Sequence, residues 1–170
     1  VQSQIRFHGL DPETSLIRLR PRDGEHTLRS EDVERALGDK SIALVMLGAV
    51  NYLTGQLMEV ERLTDAARKR GCVVGWDLAH AMGNVPMRLH DWGVDFAAWC
   101  SYKYMNSGPG AIGGAFVHAK HLDADGTRQL LGWWGHEGAT RFKMGPTFAP
   151  AKGVELWHRS NPPVPSLDPG

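Results

Sequence analysis

The sequence predicts an α/β fold in which a mainly parallel β-sheet is flanked by helices. Two apolar runs of strand length, Ser41 to Leu47 and Cys72 to Trp76, lack the alternation of a half-buried strand. Between them, Met58 to Arg70 repeats apolar residues on one face of a helix. A strand, a helix and a second strand at this spacing form a βαβ unit, whose two strands are parallel.

Length and composition agree with this fold class. A chain of 170 residues, 42% hydrophobic and 22% charged, is typical of one soluble globular domain. Lys+Arg and Asp+Glu balance at 19 each, which argues against a nucleic-acid or anionic membrane surface. The longest apolar run, Ile42 to Val50, is too short to span a bilayer. Cys72 and Cys100 lie in apolar runs without metal-ligand spacing, so we expect no metal site and a reducing, cytoplasmic setting.

The elements before the βαβ unit carry weaker signals. Residues 15–20 partly alternate and predict an edge strand. Ser30 is a candidate N-cap for a helix that Gly38 ends. The continuous apolar run from Ser41 to Leu47 predicts a strand that is covered on both faces.

Two polar residues follow the second strand of the unit. Asp77 comes directly after that strand, and His80 lies one turn further on. In open α/β sheets, ligands bind outside the carboxyl ends of the strands, which makes both residues site candidates. Asp77 is equally suited to capping the turn that follows. The two interpretations are compatible, and the sequence leaves both open.

A lysine stands at the end of the next apolar run. Residues 96–100 are apolar, Tyr102 and Lys103 follow, and a glycine-rich turn spans residues 107–110. Burial of a lysine lowers the pKa of its amine and favours a nucleophile or a Schiff base. The alternative is a strand-end lysine whose amine reaches water.

The glycines after the lysine also fit the dinucleotide-binding pattern, at Gly108, Gly110 and Gly113. That pattern requires a helix after the glycines. Here residues 111–117 predict another strand, beside the one that ends at Cys100, and we reject the motif.

The three candidates, Asp77, His80 and Lys103, suit one cofactor. Pyridoxal phosphate requires a lysine for its Schiff base and commonly an acid against its ring nitrogen. Neighbouring strand ends can bring both groups to one ring. From spacing alone this is a suggestion.

Several segments, in order, resemble kynureninases, which are pyridoxal phosphate-dependent enzymes of the aspartate-aminotransferase-like superfamily. The segments are GCVVGWDLAHAMGNV, HDWGVDFAAWCSYKYMNSGPG, GWWGHEGATRFKM and RSNPP, with SQIRFHGLDPE and NYLTGQ before them. The resemblance implies that residues 1–150 belong to the large, cofactor-binding domain of fold type I. It implies that residues 151–170 begin the connection to a C-terminal small domain.

The resemblance also implies roles for individual residues. Lys103 would form the Schiff base and remove the substrate's α-proton, while Asp77 would pair with the pyridinium nitrogen and His80 would lie beside it. Tyr102 would donate to the cofactor phosphate and assist proton transfer. Gly48 stands where some members have a serine near the cofactor.

Further residues are implied on the phosphate and substrate side. Trp133 and Asn161 would reach into the partner subunit's site of a homodimer. A phosphate-binding loop and a ring-stacking aromatic are expected before Val1, and an arginine for the substrate carboxylate after Gly170. For the isolated chain we therefore expect weak cofactor binding and little turnover.

Kynureninases hydrolyse the Cβ–Cγ bond of L-kynurenine or its 3-hydroxy form, in tryptophan catabolism and NAD biosynthesis. The products are anthranilate, or 3-hydroxyanthranilate, and L-alanine. Two other hypotheses stay open. One is another pyridoxal phosphate-dependent lyase or aminotransferase, such as a cysteine-desulfurase-like enzyme, and the other is a truncated module without catalytic activity.

Overall fold

A computed structural model describes residues 1–122 and 130–161. The α-helices are α1 (Gln2–Phe7), α2 (Pro12–Ser15), α3 (Ser30–Ala36), α4 (Val60–Lys69) and α5 (Leu89–Trp92). The strands are β1 (Leu44–Gly48), β2 (Val73–Asp77), β3 (Phe96–Trp99) and β4 (Gly114–Val117). Short 3₁₀ turns cover Ala119–His121, Trp133–Gly135, Arg141–Lys143 and Gly153–Trp157.

The four strands form one sheet in the order β1-β2-β3-β4. β1, β2 and β3 are parallel, and β4 pairs with β3 in the antiparallel direction. The predicted α/β class with a mainly parallel sheet is confirmed, as is the position of β4 beside β3. The glycines of the rejected dinucleotide pattern lead into β4 and not into a helix.

One face of the sheet carries the hydrophobic core. α4 buries Val60, Leu63 and Ala67 on the stripe that its sequence predicts. Val74 and Trp76 of β2 are fully buried on the facing side of the sheet. The helix ends where the sequence places its end, because Gly71 adopts a φ of +79° that other residues rarely take.

The opposite face of the sheet is open among the described residues. Leu44 and Met46 of β1 are 53% and 48% exposed, and Val73 of β2 is 43% exposed. The prediction that the first strand is covered on both faces is therefore wrong here. β1 is an outermost strand of the sheet, and its residues alternate between the core face and the open face.

Two predictions for the N-terminal part are also wrong. Residues 16–20 form no strand, and Ser15 instead ends α2, whose first turn Asp11 caps by accepting a hydrogen bond from Glu13 N at 3.0 Å. Among the described residues, no strand pairs with residues 15–20. Ser30 is the first helical residue of α3, and Arg29 occupies the N-cap position without a side-chain hydrogen bond.

The segment after residue 130 is held by contacts of its own. The Ala151 N–H donates to the Gly135 carbonyl at 2.8 Å, and the turn Gly153–Trp157 packs on Trp133–Gly135. The predicted division at residues 150 and 151 stays a prediction, and residues 162–170 of it lie outside the described part. No helix within the described residues has the length and apolar character needed to cross a membrane.

Candidate active site

The carboxyl ends of the three parallel strands β1, β2 and β3 lie side by side, and we call this end of the sheet the site edge. Gly48 at the end of β1 is in register with Asp77 at the end of β2, and Asp77 is in register with Ala98 of β3. The Ala49 N–H donates to the Asp77 carbonyl and the Leu78 N–H to the Ala98 carbonyl, both at 2.9 Å. The loops that leave these strands therefore start side by side.

Asp77 combines the two interpretations that its sequence position allows. Its Oδ1 accepts a hydrogen bond from the Ala79 N–H at 2.9 Å, which caps the turn after β2. The carboxylate is nevertheless exposed on the open face of the sheet. Its two neighbours in register, Gly48 and Ala98, have small side chains or none. A flat group therefore has room beside the carboxylate.

Lys103 lies against His80. The lysine Nζ is 3.0 Å from His80 Nε2, and both side chains are partly buried. An ammonium group can only donate, so a protonated Lys103 requires Nε2 to accept. The proton of a neutral His80 is then on Nδ1. A lysine that only reaches water would not make this contact.

The imidazole of His80 lies close to two tyrosine rings. The ring centroid of Tyr52 is 6.4 Å away at 30°, and that of Tyr104 is 6.1 Å away at 66°. Tyr102 presents its ring to the lysine from another side, with 5.7 Å between Lys103 Nζ and the ring centroid. His80 and Tyr102 thus lie close to the Lys103 amine, and Asp77 stands at the end of β2 in the same turn as His80. The predicted roles of the four residues stay predictions.

The turn that carries Lys103 is held by backbone and side-chain bonds. Ser101 is buried, and its hydroxyl donates to the Ile112 carbonyl at 2.6 Å. The Asn106 N–H donates to the Lys103 carbonyl at 3.1 Å, with Asn106 at a φ of +58°. Asn tolerates this left-handed conformation better than most residues, so the turn can close directly after the lysine.

Trp133 and Asn161 lie in the segment after residue 130. Trp133 Nε1 donates to the Arg141 carbonyl at 3.3 Å, and its ring packs edge-on against Trp134 and Phe142. Asn161 Oδ1 accepts a hydrogen bond from the Ser160 hydroxyl at 3.3 Å. Within residues 1–122 and 130–161, no hydrogen bond or ring contact joins either residue to Lys103. Their predicted place at the site stays a prediction.

Sequence reasoning missed three residues of this site: Tyr52, Ser101 and Tyr104. Tyr104 directly follows Lys103, as Tyr102 directly precedes it, and this adjacency was the only sequence signal for Tyr104. Tyr52 follows β1, so the rule that sites lie at strand ends extends to it. Ser101 gives no local signal, because its partner lies eleven residues further along the chain.

Curated relatives resemble the chain along nearly its whole length. A kynureninase from Salinispora tropica is 58% identical over 99% of this chain, and one from Yarrowia lipolytica is 52% identical over 96%. These matches cover 40% and 38% of the two relatives. The chain thus spans about two fifths of the length of the curated relatives it matches.

Solved structures share the fold. A cysteine desulfurase from Thermococcus onnurineus NA1 superposes with a TM-score of 0.72 at 21% identity, over 98% of this chain and 38% of that one. The cysteine desulfurase CsdA from Escherichia coli gives a TM-score of 0.62 at 23% identity, over 80% of this chain and 32% of that one. At these identities the likeness concerns the fold alone.

The family match covers all four strands and the loops that follow β1, β2 and β3. Residues 12–128 match the family described as Aminotransferase class-V. That range contains the whole sheet, together with Asp77, His80 and Lys103. The chain belongs to the class V aminotransferase family.

Proposed function

We propose that this chain forms the central part of a pyridoxal phosphate-dependent kynureninase. The reaction adds water across the Cβ–Cγ bond of L-kynurenine, or of its 3-hydroxy form, and yields anthranilate, or 3-hydroxyanthranilate, and L-alanine. The observation that carries the proposal is the 3.0 Å contact of Lys103 Nζ with His80, at the sheet edge that also holds Asp77. The identity of 58% to a curated kynureninase supports the choice of substrate.

The residues at the sheet edge fit pyridoxal phosphate. A partly buried amine, an exposed carboxylate and the small residues Gly48 and Ala98 leave room for a planar ring with a basic nitrogen. When bound, the cofactor would supply an aldehyde for the lysine amine and a ring that accepts electrons from the substrate's α-carbon.

Each residue of the edge has a task in this proposal. The Lys103 amine is the covalent attachment point and takes the proton from the substrate's α-carbon. The Asp77 carboxylate would accept a hydrogen bond from the ring nitrogen of the cofactor and so favour its protonated form. His80 holds the lysine amine in place through Nε2. The Tyr102 hydroxyl would donate a hydrogen bond to the cofactor's phosphate and assist proton transfer.

We assign Trp133 and Asn161 to the phosphate and substrate side of the site. Both lie in a segment whose exposed apolar side chains include Leu131 and Phe142, at 55% and 70%. Exposed apolar side chains of this size suit a contact between subunits. We therefore propose a homodimer in which this segment reaches the partner subunit's site. A cytoplasmic location stays a prediction.

Reduction with borohydride tests the lysine. The complete protein is incubated with pyridoxal phosphate, reduced, digested and analysed by mass spectrometry. We expect the pyridoxyl group on Lys103 and its loss in Lys103→Arg. Lys40→Arg is the matched control, because Lys40 is exposed and precedes the sheet. A label that survives Lys103→Arg would overturn the assignment of the lysine.

Fluorescence tests the substrate. Incubation of the loaded protein with kynurenine should release fluorescent anthranilate together with alanine. Release of alanine from cysteine sulfinate without anthranilate would favour a cysteine-desulfurase-like enzyme. A protein that binds the cofactor and turns over neither substrate would contradict both the kynureninase and the cysteine-desulfurase-like hypotheses.

A further inference from the structure

The turn after β2 and the turn that carries Lys103 touch through their backbones. Gly83 lies in the first turn and faces Tyr104, the residue after the lysine. A Cβ atom on Gly83 would lie 2.8 Å from the Tyr104 carbonyl oxygen, 2.9 Å from its carbonyl carbon and 3.1 Å from Met105 N. These are main-chain atoms, which cannot move aside as the end of a side chain can.

Gly83 also has a left-handed backbone. Its φ is +79°, a conformation that residues with a Cβ rarely adopt. Position 83 thus requires glycine for two separate reasons, its φ angle and the lack of space. The second reason concerns Lys103, because the neighbouring atoms belong to the lysine turn.

The same turn places His80. Its Ala81 and Met82 N–H groups donate to the Leu78 carbonyl at 2.9 and 2.8 Å. The Asn84 side chain donates to the His80 carbonyl at 3.0 Å. The turn is therefore one bonded unit that carries the imidazole at one end and Gly83 at the other. Through Gly83, this unit contacts the backbone of Tyr104, the residue after the lysine.

From this geometry we propose that Gly83 is a positioning residue for Lys103. The close approach of Gly83 to the Tyr104 backbone holds the Lys103 amine 3.0 Å from His80 Nε2. An added methyl group separates the two turns and draws the amine away from His80 and from the Asp77 edge. The inference rests on the proposed role of Lys103 and adds a residue that acts only through it.

The test compares two glycine variants of the complete protein. Gly83→Ala adds a methyl group at the contact. Gly71→Ala is the matched control, because Gly71 has the same φ of +79° and nothing within 4 Å of its Cβ position. Both variants carry the same backbone strain, and only Gly83→Ala pushes on the lysine turn.

The first readout is hydrogen exchange without cofactor. The amides of Asn106 and Ser107, which bond to the carbonyls of Lys103 and Ser101, should exchange about tenfold faster in Gly83→Ala than in Gly71→Ala. The second readout is the borohydride-fixed label on Lys103, which should form about tenfold or more slowly in Gly83→Ala only.

The readouts separate the inference from the proposed function. If the unchanged protein takes no label on Lys103, the proposed function fails, while the exchange rates still test the contact. If Gly83→Ala matches Gly71→Ala in exchange and in labelling, Gly83 does not position the lysine. Should Gly83→Ala not fold, Asn84→Ala decides, because it loosens the same turn without adding an atom. Unchanged labelling in that variant would overturn the inference.

Discussion

A single buried carboxylate links three parts of the sheet. Asp95, 4% exposed, precedes β3. Its Oδ2 accepts from the Val74 N–H at 2.8 Å, and its Oδ1 lies 2.5 Å from Lys120 Nζ and 2.7 Å from His121 Nε2. Burial opposes its ionisation, but the bonds from Lys120 and His121 lower the pKa of the Asp95 carboxyl overall. Asp95 therefore fastens the start of β3 to β2 and to the turn after β4.

Removal of this carboxylate should destabilise the fold. We expect Asp95→Ala to lower the free energy of unfolding by about 2–4 kcal/mol, because the buried Val74 N–H, the Lys120 ammonium and the His121 ring lose their partner. Asp91→Ala, at an exposed aspartate of the same region, should change it by less than about 0.5 kcal/mol. Urea unfolding measures both. Equal effects of the two substitutions would contradict the linking role.

The same group predicts a pH dependence. Because its pKa is lowered in the folded state, Asp95 stabilises the fold fully above its unfolded pKa of about 3.9. That stabilisation is lost as the pH falls through the lower folded pKa. The gap in stability between the unchanged protein and Asp95→Asn should therefore be constant near neutral pH and shrink below about pH 4. Unfolding curves from pH 7 to pH 3 measure it, and a constant gap would refute the linkage.

At the scale of elements, one hydrogen bond joins α4 to β2 inside the core. Trp76 Nε1 donates to the Thr64 hydroxyl at 2.9 Å, and both residues are fully buried. A helix that packs on a sheet through apolar residues alone can slide. This bond selects one position, because a buried indole N–H without a partner is unfavourable.

Thr64→Val should leave that indole N–H without an acceptor. We expect a loss of about 1–3 kcal/mol in the free energy of unfolding, since the substitution keeps the volume and removes only the hydroxyl. Thr27→Val, at an exposed threonine, is the control. In a Trp76→Phe background, which has no N–H to satisfy, Thr64→Val should be less harmful. Additive effects of the two substitutions would mean that the bond contributes nothing.

The elements show what local sequence can predict. The period of Val60, Leu63 and Ala67 and the stop at Gly71 depend on neighbours in the chain, and α4 follows both. Likewise, the rule that sites lie at strand ends placed Asp77 and Lys103 on one edge. By contrast, the contact of Gly83 with Tyr104 joins residues 21 positions apart and carries no sequence period.

For a similar reason, the sequence could not predict which elements pack on each face of β1. An apolar run such as Leu44 to Leu47 shows that a strand can be buried on both faces. It does not show which elements lie over each face. In the described part of the chain, α4 packs on β2, whereas Leu44 and Met46 of β1 are about half exposed.

On the scale of the whole molecule, the described residues cover one side of the sheet and leave the other side largely open. The closed side holds the fully buried residues, such as Val74 and Trp76. The open side presents Leu44, Met46 and Val73, and Asp77 projects at its edge. Leu44 and Val73 are in register, so these exposed apolar side chains form a continuous patch. The candidate site lies at the border of this patch, and exposed apolar patches favour association.

Two substitutions to lysine test whether one face of the sheet is open and the other is the core. Met46→Lys places a charge on the open face and should change the free energy of unfolding by no more than about 0.5 kcal/mol. It should also lower self-association and the binding of a hydrophobic dye. Val74→Lys places the same charge in the core, where burial without a partner should unfold the chain. Unfolding curves and sedimentation measure both variants. If Met46→Lys were as harmful as Val74→Lys, the face of β1 would be covered in solution.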